Sequence, residues 1–296
     1  MTIKTGKEYV ESLRKRKIKV YLFGEEIKNP VDHPVIRPSI NSVSVTYDIA
    51  HDVRYENLAT ATSHLTGDRI NRFTHIHQNT EDLVRKVKLL RLLGQKTGTC
   101  FQRCVGMDAI NALSSITYEM DQKLGTEFYR RFTEFLRHVQ KNDLICCGAM
   151  TDPKGNRNLA PSQQADPDLY LRVVEERDDG IVVRGSKVHQ TGSVNSHEVI
   201  VMPTRTMGEK DKDYAVSFAV PSDAEGIIYV YGRQPNDNRK LEKGMMDLGN
   251  VKYGGQEAMI IFDDVFVPWE RVFMAGEYEF TLPLVERFAA YHRQSY

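Results

Sequence analysis

From about Val43 to Val139 apolar residues recur at three- and four-residue steps, and after Asp143 that rhythm gives way to short runs separated by turn residues. A period near 3.6 buries one stripe of a helix, whereas short β-branched and aromatic runs between turns build strands. Helices, then strands, then the start of another helix predict an α+β protein with a sheet between helical parts.

Within the first half, Asn79-Thr80-Glu81-Asp82 reads as an N-cap ahead of Leu83, Val87, Leu90 and Leu93. Two further helices are expected over Met107–Leu124 and Glu127–Gln140. Before them, Thr5 to Lys19 has a short helical pattern and Val20 to Glu25 reads as a strand and turn. Asn29-Pro30, His33-Pro34 and Arg37-Pro38 then force an extended crossing, because a residue before proline is pushed away from helix. Strands are expected over Leu169–Val174, Ile181–Gly185, Val199–Met202, Ala215–Val220 and Ala258–Phe262, with Asp178-Asp179-Gly180 turning the first hairpin. A helical pattern resumes at Pro283–Phe288 and is still running at Tyr296, the last residue. The expected domains are an N-terminal helical domain over residues 1–144, a middle β-domain over 145–276, and the start of a C-terminal helical domain over 277–296.

The 296 residues are 41% apolar, enough for a sizeable core. Forty basic residues balance forty acidic ones, which argues against nucleic acid or an anionic membrane as partner. Met1 to Arg16 lacks a signal-peptide core, and no apolar stretch approaches the roughly 20 residues that span a bilayer. A soluble, cytoplasmic protein is expected, in which Cys100, Cys104, Cys146 and Cys147 are thiols or metal ligands rather than disulfides.

Cys100-Phe101-Gln102-Arg103-Cys104 falls where a helix is expected, and a spacing of four places both thiols on one face, about 5–6 Å apart. The pair can share a metal, act in redox chemistry, or simply pack as small apolar groups. Cys146 and Cys147 are adjacent, point to opposite faces of an extended chain, and read as structural. Met150 to Arg157 combines turn residues and two cations, which suits a phosphate or flavin cradle as well as an ordinary loop. His189-Gln190-Thr191-Gly192-Ser193 is a second polar turn, and Glu257 follows a glycine pair as a candidate acid or base or as part of a hairpin. His75-Ile76-His77 is a poor metal chelator.

Long segments resemble the 4-hydroxybutyryl-CoA dehydratase family, whose members also carry vinylacetyl-CoA Δ-isomerase activity. They include Val31 to Asn41, Arg91 to Thr97, Cys100 to Asp108, Gly148 to Gly155, His189 to Glu198, Tyr253 to Ala258, and Glu286-Arg287-Phe288 with Tyr291 to Tyr296. The resemblance implies an acyl-CoA dehydrogenase-like fold, FAD, an acyl-CoA substrate and a homotetramer. It implies a 4Fe-4S cluster held by Cys100, Cys104 and His292, with a further cysteine just past Tyr296. On that basis the chain is an incomplete enzyme whose C-terminal bundle is truncated or comes from a second chain. The resemblance also implies flavin contacts from Met150, Thr151, Asp152, Pro153, Lys154, Gly155, Asn156 and Arg157, and from His189, Gln190, Thr191 and Gly192. His292, Glu257 and Tyr296 are the expected catalytic residues.

Removing a C3 proton that lies β to the thioester, together with the C4 hydroxyl, calls for a radical route, which a flavin accepting one electron opens. Two other readings compete. One is a flavin-dependent aromatic monooxygenase of the 4-hydroxyphenylacetate 3-hydroxylase type, which needs no metal. The other is an inactive subunit that only binds a partner chain.

Overall fold

The computed structural model describes residues 3–232 and 251–293. Helix α1 (Gly6–Arg14) starts in a capping box, where the Thr5 side chain accepts from the Glu8 amide and the Glu8 carboxylate accepts from the Thr5 amide. Helices α2 (Arg37–Asp48) and the four-residue α3 (Glu56–Ala59) follow. The long helices are α4 (Thr80–Thr97), α5 (Cys104–Leu124) and α6 (Phe128–Lys141). Asn79 caps α4 by accepting from the Asp82 amide, and α4 and α5 end on left-handed Gly98 and Gly125. A last helix, α7 (Thr281–His292), lies against α5.

The strands are β1 (Lys19–Leu22), β2 (Glu25–Glu26), β3 (Thr60–Thr62), β4 (Arg69–Asn71), β5 (Cys146–Ala149), β6 (Arg172–Arg177), β7 (Gly180–Thr191), β8 (Glu198–Val201), β9 (Val216–Pro221), β10 (Ile227–Tyr231), β11 (Glu257–Pro268) and β12 (Val272–Ala275). They form a six-stranded sheet ordered β2-β1-β10-β11-β7-β6, a four-stranded sheet ordered β12-β9-β8-β5, and the β3–β4 hairpin. The protein is therefore α+β. One apolar core runs continuously from the helices into both sheets, through Phe132, Phe273, Val199 and Ile260. Among the described residues no helix is long and apolar enough to cross a membrane.

Several expectations shift. The stretch read as helical from Val43 contains the β3–β4 hairpin. The strand expected over Leu169–Val174 begins at Arg172, because Tyr170 and Leu171 turn into the core and the Leu171 amide donates to buried Asp152. Strand β11 runs on to Pro268, and two irregularities in its pairing with β7 bend it. The Asp178-Asp179 turn stands as expected, with Arg177 opposite Gly180. A Cβ on Gly180 would sit 2.2 Å from the Val267 carbonyl oxygen, so strand β11 can approach only a glycine.

Helix α5 is seated on the four-stranded sheet in the same way. A Cβ on Gly106 would lie 2.0 Å from the Cys146 carbonyl oxygen, and one on Gly148 would lie 2.8 Å from Val105 Cγ1. Glycine on both sides brings the first turn of α5 directly onto β5. Cys146 and Cys147 are buried in β5, where alternation turns them to opposite faces.

Candidate active site

A cleft of about 770 Å³ opens where α4, the start of α5, the end of α7 and the adjoining ends of β7 and β11 meet. Cys100, Cys104, Thr191, Glu257 and His292 line it, with an apolar wall that includes Leu90, Phe101 and Val105.

The two cysteines do not share a helix. Helix α5 begins at Cys104, and Cys100 lies in the loop after Gly98 ends α4. Gln102 breaks the expected helix by taking a left-handed conformation, φ +67°, which is costly for a residue with a Cβ. Buried hydrogen bonds hold it there. Its amide nitrogen donates to the Ser39 and Gly254 carbonyls at 2.9 and 3.2 Å, and its oxygen accepts from Asn195 Nδ2 at 2.6 Å. Gly192, at φ +74°, presses against it so closely that a Cβ would meet Gln102 Cβ at 2.9 Å.

This turn brings the Cys104 thiol within reach of Cys100. The bond from Cys104, opposed by burial, pulls the Cys100 thiol down to about 7. The same bond and then burial push the Cys104 thiol up. Cys100 is exposed at the cleft mouth, while Cys104 is buried in the first turn of α5, where the unpaired amides of a helix start favour negative charge.

His292, the last residue of α7, is stacked on Phe288 with ring centroids 5.5 Å apart. Its Nδ1 lies 3.0 Å from Asp108 Oδ2, and Asp108 Oδ1 accepts from Lys86 Nζ at 2.5 Å. Glu257 is half-buried at the start of β11. Thr191 Oγ1 donates to its Oε1 at 3.4 Å, and His189 Nδ1 stands 3.7 Å from its Oε2. Tyr296 lies outside the described residues.

The two segments expected to meet flavin are side by side. The Thr151 carbonyl accepts from the Val188 amide and from Gln190 Nε2, both at 2.8 Å. Beneath them Lys187 Nζ, fully buried, contacts both Asp152 oxygens and donates to the Met150 carbonyl at 2.9 Å. Burial pushes Asp152 up and Lys187 down, and each opposes the shift of the other. His189 is exposed at φ +55°, a strained conformation for a non-glycine residue at a strand position. Pro153 and Lys154, whose Nζ donates to Thr204 Oγ1 at 2.9 Å, lead to Gly155 at φ +52°, and Asn156 and Arg157 follow it.

His75 is engaged elsewhere, with Nε2 2.9 Å from Asp82 Oδ2. Burial and then the Lys86 ammonium hold His77 down at about 4. Lys86 and Asp108 are the site residues that sequence reasoning passes over. The available signals were a lysine in the register of Leu89, Leu90 and Leu93, and a carboxylate one turn after Cys104 on the same helix face.

Among the described residues no group of three or more His, Cys, Asp or Glu is arranged to hold a metal ion. A cluster makes a different demand from a single ion, since each ligand binds a different iron and the ligands stand further apart. Two thiols and an imidazole around one cleft suit it by donor chemistry, soft sulfur with one nitrogen.

A profile of the 4-hydroxyphenylacetate 3-hydroxylase N-terminal family matches residues 5–274. The chain is 62% identical over 293 residues to 4-hydroxybutyryl-CoA dehydratase/vinylacetyl-CoA Δ-isomerase of Clostridium aminobutyricum, covering 99% of this chain and 60% of that protein. It is 30% identical to the oxygenase component of 4-hydroxyphenylacetate 3-monooxygenase of Thermus thermophilus, covering 93% of this chain and 56% of that one. An oxygen-tolerant archaeal 4-hydroxybutyryl-CoA dehydratase from N. maritimus superposes with a TM-score of 0.96 at 58% identity, over all of this chain and 59% of its own. The oxygenase component of 4-hydroxyphenylacetate 3-monooxygenase complexed with FAD superposes at 0.79 with 28% identity, over 97% of this chain and 58% of its own. The chain thus spans less than two thirds of the length of these relatives, and it belongs to the 4-hydroxyphenylacetate 3-hydroxylase N-terminal family.

Proposed function

We propose that this chain forms the N-terminal and middle parts of an enzyme that dehydrates 4-hydroxybutyryl-CoA to crotonyl-CoA and isomerises vinylacetyl-CoA. The observation that carries the reading is 62% identity along 99% of the chain, together with a cleft that gathers Cys100, Cys104, Glu257 and His292. Identity to the aromatic monooxygenase is 30%, which favours the dehydratase. In this reading the architecture is acyl-CoA dehydrogenase-like, with a helical domain over 1–144, a β-domain over 145–276 and the beginning of a helical bundle from 277. The working enzyme is a cytoplasmic homotetramer.

Met150–Arg157 and His189–Gly192 would hold FAD, and Cys100, Cys104 and His292 would be three of the ligands of a 4Fe-4S cluster. When bound, the flavin supplies one-electron chemistry and the cluster an iron able to accept a hydroxyl as a Lewis acid. The chain's own residues supply positioning and proton transfer. Cys100 and Cys104 would present their sulfurs to the cluster. His292 takes the acidic C2 proton at Nε2 when that nitrogen is not engaged with iron. Glu257, oriented by Thr191, holds or returns a proton at a carboxylate oxygen, and Tyr296 assists it. The apolar wall excludes water from the acyl chain.

Iron, acid-labile sulfide and flavin are measured on protein prepared without oxygen. The expected result is a brown protein containing all three that bleaches in air, with H292A losing both iron and turnover. A yellow, iron-free flavoprotein that hydroxylates phenols would instead support the monooxygenase, and full turnover by H292A would remove the role given to His292.

A further inference from the structure

One buried relay joins three helices at the back of the cleft. Lys86 on α4 and Asp108 on α5 are both fully buried and 2.5 Å apart. The second Asp108 oxygen lies 3.0 Å from His292 Nδ1 at the end of α7, and Lys86 Nζ also donates to the neighbouring Tyr291 carbonyl at 2.8 Å. Stability alone does not account for such a pair. Removing two charges from water costs about as much as their attraction returns, and apolar side chains of similar volume would pack these helices equally well. Lys86 does something that apolar residues cannot: its Nζ can only donate, which commits Asp108 Oδ1 as an acceptor. With Oδ1 so engaged, Oδ2 accepts at the other contact, which puts the hydrogen there on His292 Nδ1.

We infer that Asp108, held in place by Lys86, is a positioning residue that fixes His292 as its Nδ1–H tautomer and so sets Nε2 as the nitrogen that serves the cleft. Carboxylates behind metal-bound imidazoles work in this way, and their loss typically costs ~10–100-fold in metal affinity or activity. The inference rests on the dehydratase reading for what Nε2 meets, but the tautomer belongs to this chain alone.

The test therefore has two arms. In the chain labelled with 15N-histidine, with H292A used for assignment, His292 is expected to show a protonated Nδ1. D108N, whose amide can donate as well as accept, is expected to give a mixture of tautomers, and D108E to restore Nδ1–H. A wild-type His292 protonated on Nε2, or a D108N spectrum like that of the wild type, would overturn the inference. If D108N does not fold, the wild-type and D108E spectra still decide it. In the second arm the full-length enzyme is loaded with iron without oxygen. D108N is expected to lose ~10–100-fold in iron affinity by chelator competition, or in kcat, with KM unchanged and an altered electron paramagnetic resonance signal. Wild-type iron affinity, kcat and signal in D108N would contradict the inference. A wild-type enzyme that takes up no iron would overturn the dehydratase reading, and the tautomer arm would still judge Asp108 and Lys86.

Discussion

Cys100 and Cys104 meet because the residue between them, Gln102, is held in a conformation that glutamine seldom adopts. The sequence displays the two thiols and their spacing. It does not display the turn, because that depends on Ser39, Asn195 and Gly254, which lie far away in the chain. The spacing predicts a shared helix face, whereas the turn at Gln102 is what places Cys100 beside Cys104. Reactivity should follow the observed placement. In protein without iron, Cys100 is expected to be alkylated first, since it alone of the four is exposed, and Cys104, Cys146 and Cys147 only on unfolding. Peptide mapping after brief iodoacetamide treatment checks this, and equal labelling of Cys104 and Cys100 would mean that the first turn of α5 is open.

Among the elements, α5 positions the site, and its seat on β5 depends on Gly106. The G106A variant is expected to lose about 1–3 kcal/mol, because the added methyl has no space and the Cys146 carbonyl cannot retreat without breaking the β5–β8 pairing. Thermal unfolding measures the loss, and an unchanged Tm would show that the helix can lift from the sheet without penalty. At the start of α4, burial pushes the Asp82 carboxyl up, but bonds from the Gln78 amide and His75, with the Arg72 guanidinium, outweigh it and hold the group at about 2. A carboxyl depressed in the folded state stabilises above its unfolded pKa, near 4, and that contribution disappears as pH falls from about 4 through 2. D82N is expected to lower Tm at neutral pH and to flatten this acid limb. A parallel acid limb in D82N would reassign the pH dependence to other carboxylates.

The helices are legible because their periodicity and caps are local, as at Asn79 and Gly98. Strands such as β5, β10 and β12 are less so, since distant partners define them. Strand β10, for example, pairs in parallel with β1 some two hundred residues earlier.

For the whole molecule, one continuous core fixes the cleft where helices and both sheets meet, so groups from α4, α5, α7, β7 and β11 face one space. Sequence periodicity predicts the layers but not which of their ends converge. That convergence was legible only through resemblance to a family, and the Lys86–Asp108–His292 relay, spanning more than two hundred residues, was not legible even so. Under the proposed function, Cys100, Cys104 and His292 jointly hold iron beside a flavin. Anomalous diffraction at the iron edge, from crystals of full-length protein grown without oxygen, tests it directly. Iron density is expected in the cleft, bonded to both sulfurs and to the imidazole. Iron bound elsewhere, or a fully loaded active enzyme with no iron at these three residues, would contradict it.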